Sequence, residues 1–112
     1  MAMKIDTAAR CLAKLGNPLR LEAFRLLVRA GHHGLAVGEI QAHLRIPAST
    51  LSHHILHLVH AGLIEQQREG RSLRCRVAYA QVDALLGYLT EECCAGLDAC
   101  ARGEEPAWTL PP

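Results

Sequence analysis

A chain of 112 residues makes one domain, with room for a core but small enough to gain from pairing with a second copy. Half the residues are hydrophobic, yet charge interrupts every long apolar stretch, which excludes a membrane span, and the first residues lack a signal peptide's continuous apolar run. The net charge of +1 hides an asymmetry, because residues 1–80 carry eleven Lys/Arg against five Asp/Glu while residues 81–112 carry one against six, so a basic body points to a polyanion and the acidic end faces away from it.

Residues 5–15 read as a first helix, with Ala8, Cys11, Leu12 and Leu15 as its apolar stripe. Gly16 ends it. Asn17 and Pro18 then supply a cap and a first-turn proline for a second helix running to about Ala30, with Leu21, Phe24, Leu27 and Val28 inward. Residues 31–36 read as a loop. Residues 37–44 form a short third helix with Val37, Ile40 and Leu44 on one face. Arg45-Ile46-Pro47 is a turn, since Pro47 disfavours helix at the residue before it.

The fourth helix spans about Ala48 to Ala61. Leu51, Ile55, Leu58 and Val59 face the core, and Ser49, Ser52, His53, His57 and His60 populate the other side. Gly62 suits a C-terminal cap, with Leu63 supplying the hydrophobic contact of that motif. Residues 63–68 and 73–77 then alternate as the strands of a hairpin turning at Glu69-Gly70-Arg71. A fifth helix is expected from Tyr79 to about Cys94, with Val82, Leu85, Leu86 and Leu89 as its stripe.

Short helix, turn, helix and hairpin, in that order, make a winged helix-turn-helix: a mainly α fold with a small β-hairpin. Residues 1–95 form the DNA-binding and dimerisation domain, and residues 96–112 are a C-terminal extension. The hydroxyls of Ser49, Thr50 and Ser52 stand at the start of the fourth helix, where backbone N–H groups favour phosphate. His53, His54 and His57 follow on or beside the same face and can reach phosphates or base edges. Solvent faces usually carry Glu and Lys, and this one has neither. At the hairpin, Arg68, Arg71, Arg74 and Arg76 surround Gly70 with Glu69 opposing, so Arg71 at the tip is placed to clamp phosphate or enter a minor groove. The spacing of His53, His57 and His60 also suits a metal, but an ion there would compete with the groove. Catalytic machinery is absent: the sequence shows no Ser–His–Asp set, paired carboxylates or phosphate loop.

The remaining chemistry lies in sulfur. The charge pattern and the lack of a leader suggest a cytoplasmic protein, where thiols stay reduced and cysteines act as ligands or buried apolar groups rather than disulfides. Cys11 and Cys75 fall on apolar faces and read as core. Cys93, Cys94 and Cys100 are three thiols in eight residues with no nearby His. Three soft donors suit a three-coordinate thiophile such as As(III), and Sb(III) with it, better than zinc, which usually takes four ligands. Three sulfurs on one ion lie roughly 3–4 Å apart, judging from thiolate bonds near ~2.3 Å. On a continuous helix Cys93 and Cys100 would be separated by about 10.5 Å along the axis, so the helix must break, with Gly96 the expected place. A thiol redox or sulfide site, or one for Cd, Pb or Hg, would use the same residues. A small thiol enzyme or metal carrier would leave the fourth helix and the wing unexplained.

Together these residues resemble the ArsR/SmtB family of winged-helix metalloregulators. Asn17-Pro18-Leu19-Arg20-Leu21 resembles its second-helix opening. Ser49-Thr50-Leu51-Ser52-His53-His54-Ile55, Leu58 and Ala61-Gly62-Leu63-Ile64 resemble its recognition helix and exit, and residues 65–77 its wing. The resemblance covers roughly residues 8–90. It implies a homodimer through the N- and C-terminal helices, a double-stranded operator, and repression relieved by an inducer. The family's cysteine-valine-cysteine arsenic motif is missing at Leu35-Ala36-Val37-Gly38, and the fifth helix has no His for a zinc site. The terminal triplet is similar to the alternative three-cysteine arsenic site of some members. That implies As(III) as inducer, held by Cys93, Cys94 and Cys100, and no catalytic cofactor.

Overall fold

Each helix boundary follows from local chemistry. A computed structural model describes residues 3–93. Their order is α1 (Ile5–Leu15), α2 (Pro18–Ala30), β1 (Leu35–Ala36), α3 (Val37–Leu44), α4 (Ala48–His60), β2 (Ile64–Glu69), β3 (Ser72–Val77) and α5 (Tyr79–Thr90). Asn17 caps α2 by accepting the Arg20 N–H at 3.0 Å, with Pro18 in the first turn. At the end of α4, Gly62 takes φ 75°, the Gly62 N–H reaches the Val59 carbonyl at 2.9 Å, and the Leu63 N–H reaches Leu58 at 3.0 Å. These two bonds are the paired closure expected of a glycine C-cap, and Leu63 drops fully into the core behind it. Arg45 ends α3 in the left-handed region, at φ 54°.

The wing is a two-residue hairpin. Glu69 pairs with Ser72, leaving Gly70 and Arg71 as the turn, with Gly70 at φ 61° as the first central position of such a turn favours. Residues 31–36, expected as a loop, instead hold a short 3-10 turn (Gly31–His33) and the strand β1. Leu35 pairs with Cys75 and Ala36 with Arg74, giving an antiparallel sheet in the order β1-β3-β2. Gly34 makes the third strand possible. Its φ is 69°, and a Cβ there would collide with the Cys75 carbonyl.

The core is shared by all of these elements. Leu27, Ile40, Leu51, Leu58, Leu63 and Ile64 are fully buried, joined by Cys11 and Cys75. Several stripe residues expected inside lie outside: Leu12, Leu21, Val28, Leu86 and Leu89 are all exposed. One chain supplies too few neighbours to cover both sides of α1, α2 and α5. The fifth helix also stops at Thr90 rather than about Cys94, with Glu91 extended and Glu92 left-handed at φ 60°. The Thr90 hydroxyl bonds back to the Leu86 carbonyl at 3.0 Å, a local alternative to continued helix. Two glutamates at the negative end of the helix dipole oppose extension further. Among the described residues no helix is long and apolar enough to cross a membrane.

Candidate nucleic-acid interface

α4 divides cleanly by face. Leu51, Ile55 and Leu58 hold it to the core, and the turn after Arg45 sets its angle to α3. Ser49, Ser52, His53, Leu56 and His60 are exposed, and Thr50 is half-buried. No side chain caps the N-terminus of α4, so its first N–H groups remain available to an anion. No carboxylate occurs anywhere along the helix. Leu56, 51% exposed in the middle of this face, was not among the expected contacts. Its spacing from Ser49 and Ser52, seven and four residues, could have revealed it. An apolar side chain there suits a thymine methyl group. Between α3, α4 and the wing runs a cleft lined by Val37, Ser52, Ile55, Leu56, Arg71 and Leu73.

His54 departs from expectation. It turns inward, 8% exposed, and its Nδ1 accepts from Arg20 Nε at 3.3 Å. The same guanidinium donates to the Lys14 carbonyl at 3.0 Å, so Arg20 ties the end of α1 to α4. His54 therefore belongs to the scaffold and not to the exposed face. Its pKa is held below the ordinary 6.5, first by burial and then by the neighbouring Arg20 and His53. His57 sits at the edge of the face. Lys14 Nζ lies 2.9 Å from its Nδ1, and its Nε2 lies 3.1 Å from Nε2 of His53. Its pKa is also lowered, by burial first and then by Lys14, Arg20, His53 and His54. Lys14 is a partner that sequence inspection missed. It lies 43 positions from His57, and only tertiary packing brings the two together.

The wing arginines split into two pairs. Arg74 pairs with Glu69 at 3.0 Å and donates to the His33 and Gly34 carbonyls at 3.4 Å, which fastens the wing to the loop before β1. Arg76 pairs across the strands with Glu65 at 3.3 Å, so Glu69 is not the sole opposing charge. Arg68 and Arg71 form no ion pair among the described residues and are exposed. Arg71 stands at the hairpin tip, beside the cleft that also holds Ser52. A hydroxyl, an apolar side chain and the uncommitted Arg71 guanidinium thus share one cleft, with the exposed His53 imidazole on the same helix.

The thiols separate by depth. Cys11 is fully buried, donates to the Ala61 carbonyl at 3.4 Å and accepts from Gln81 at 3.6 Å. Cys75 is fully buried against Gln66, and burial pushes its thiol pKa up, which disfavours the reactive thiolate. Cys93 is exposed, three residues past the end of α5, in non-helical chain. Cys94, Gly96 and Cys100 lie outside the described residues. The early stop of α5 means that Cys93 is not held on a helix, and the break expected at Gly96 lies outside the described residues. Among the described residues no group of three or more His, Cys, Asp or Glu is arranged to hold a metal.

Comparison with known proteins points the same way. A family model described as a helix-turn-helix domain matches residues 15–67. A probable mercury resistance operon repressor of Streptomyces lividans is 30% identical over 100 residues, covering 87% of this chain and 78% of that protein. An uncharacterised HTH-type transcriptional regulator of Methanocaldococcus jannaschii is 34% identical over 67 residues, covering 60% of this chain and 73% of that protein. Among solved structures, the homodimeric winged helix-turn-helix DNA-binding domain of a possible ArsR-family transcriptional regulator from Mycobacterium bovis superposes with a TM-score of 0.62. It is 30% identical and covers 79% of this chain and 82% of that one.

Proposed function

The chain belongs to the ArsR family of winged helix-turn-helix transcriptional regulators, and from that premise we propose that it is a homodimeric repressor that leaves its operator when As(III) binds Cys93, Cys94 and Cys100. The observation that carries the DNA half is the exposed face of α4, free of carboxylates and set beside Arg71, with Arg68 exposed on the same wing. Ser49, Thr50, Ser52 and His53 would make the contacts, with Leu56 among them and His57 supporting His53 from the edge of the face. The exposed Ile5 and Leu12 on α1 and Leu86 and Leu89 on α5 support pairing of two copies through the terminal helices, as does the homodimeric state of the M. bovis neighbour. Two α4 helices then meet two half-sites.

The donor set supports the inducer. Three thiols without a nitrogen ligand suit a pyramidal, three-bonded ion, and Sb(III) shares that chemistry. Hg(II) is a second candidate, because the S. lividans relative is named for mercury resistance and Hg(II) is equally thiol-seeking. Cys93 follows the end of α5 opposite to the one that joins β3, so release works through a coupling free energy. A coupling of about 1–3 kcal/mol weakens DNA binding 5- to 150-fold. The chain's part is to hold Cys93 beside α5, so that gathering the thiols reshapes the end of the pairing helix.

Single substitutions test the ligand set. Cys93→Ser, Cys94→Ser and Cys100→Ser are each expected to bind operator normally and to stay bound when arsenite is added. Cys11→Ser and Cys75→Ser are expected to release as the wild type does. A folded Cys11→Ser or Cys75→Ser protein that ignores arsenite would show the wrong sulfurs have been chosen. Replacing arsenite with Hg(II) in the same titration decides between the two ions.

A further inference from the structure

Three side chains on two helices form a chain whose proton positions follow from donor chemistry alone. The ammonium of Lys14 lies 2.9 Å from His57 Nδ1. An ammonium has donors and no acceptor, so His57 Nδ1 must accept, and the neutral ring carries its proton on Nε2. That Nε2 lies 3.1 Å from Nε2 of His53. His57 therefore donates there, His53 Nε2 accepts, and the His53 proton sits on Nδ1. His53 is exposed on the face of α4, one residue past Ser52 and three before Leu56.

We propose that Lys14 is a positioning residue for DNA recognition: through His57 it fixes the tautomer of His53, so that α4 presents a single N–H donor, His53 Nδ1, to a hydrogen-bond acceptor on DNA. The inference rests on the DNA-binding reading of α4 given above. Acceptors of this kind are purine N7, guanine O6 and thymine O4 in the major groove, and phosphate oxygens. With its tautomer fixed, His53 rejects an exocyclic amine donor such as that of cytosine. With its tautomer free, it could accept from one.

The same geometry argues against a metal at the two imidazoles. Their Nε2 atoms are spaced near the bite of an ion with bonds of about 2.0–2.1 Å. Yet the ammonium keeps Nδ1 of His57 as the acceptor, so the ligating nitrogen carries a proton. Lys14 from α1 and Arg20 from α2 both face His57, and His53 and His54 flank it on α4. Two cations at this spot repel a third. Burial first, and then these cations, lower the pKa of His57, which favours the neutral ring that the chain requires. A protonated His57 would turn an N–H toward the ammonium and break the link, so the fixed donor is a property of the neutral rings.

Nitrogen-15 NMR of the imidazoles in the full-length protein tests the chain without DNA. His57 is expected to be protonated on Nε2 and bare on Nδ1, and His53 the reverse. Lys14→Met should move both rings toward a mixture of tautomers, and Lys14→Arg, also a pure donor, should restore the pattern. In the second arm, a site selected from random-sequence DNA by the wild type is compared with a scrambled duplex at one salt concentration. Lys14→Met should lose about 2- to 10-fold in selectivity, the size of one hydrogen bond, and Lys14→Arg should recover it. Unchanged imidazole signals in Lys14→Met would overturn the proposal. So would an equal loss on both duplexes with the salt slope reduced by about one, which would make Lys14 a plain phosphate contact. A wild-type protein that binds no duplex at all would overturn the functional reading and the recognition role with it, while the NMR pattern still judges the tautomer chain separately.

Discussion

α4 and α5 are helices of nearly equal length, but only α4 is complete within one chain. α4 buries Leu51, His54, Ile55 and Leu58, and its outer face is polar apart from Leu56. α5 buries Leu85 alone and leaves Leu86 and Leu89 more than half exposed. A face satisfied by its own core and polar outside is ready for a polyanion. A face that remains apolar outside is waiting for apolar surface. The division of labour between reading DNA and pairing copies can thus be seen in what each helix leaves uncovered.

The comparison is broken most severely by charging the incomplete helix. Leu86→Asp combined with Leu89→Asp should convert a dimer to monomers in sedimentation. Without a second half-site contact, operator affinity should fall about 10²–10⁴-fold. A double variant that remains dimeric would place the interface elsewhere. Within α4, the two faces can be set against each other. Leu58→Ala should cost about 2–5 kcal/mol in urea unfolding, because it empties a fully buried position. Leu56→Ala, two residues away but exposed, should change stability by no more than about 0.5 kcal/mol and act on DNA binding instead. Similar stability losses would mean that the two faces are not distinct.

Much of this division could be read from the chain. The bounds of α1, the Asn17-Pro18 start of α2, the Gly62 cap and the Gly70 turn each depend on residues within a few positions. What could not be read depends on distance in sequence. β1 exists because Gly34 lets the backbone approach Cys75, some forty residues on. His54 looked like its neighbours until Arg20 drew it inward. Leu12, Leu21, Val28, Leu86 and Leu89 fit an apolar period, but a period marks which side is apolar and not what covers it. The end of α5 was missed because Thr90 and the glutamates after it outweigh the pattern that precedes them. Cys93 is placed, whereas the rest of the triplet lies outside the described residues.

Smaller effects sharpen the picture. Arg71→Ala should weaken binding on operator and random DNA alike and lower the salt slope by about one, as expected for a lost phosphate contact. Arg76→Ala, whose guanidinium is committed to Glu65, should leave the slope nearly unchanged. Acidification should act on the scaffold. His54 and His57 are held below their ordinary 6.5, so the folded state binds fewer protons than the unfolded chain just below that pH. Stability is then full above about pH 6.5 and falls as pH drops through the depressed folded values. Urea midpoints at about pH 7.5 and about pH 5.5 would show it, and His54→Gln should reduce the difference.

The most direct test is an arsenite titration of the wild-type protein on labelled operator, followed by fluorescence anisotropy at fixed salt under reducing conditions. Release corresponding to a 5- to 150-fold loss of affinity, reversed by a competing dithiol, is the expected result. A complex that stays intact at saturating arsenite, yet dissociates with Hg(II) or with an oxidant, would contradict As(III) as the signal.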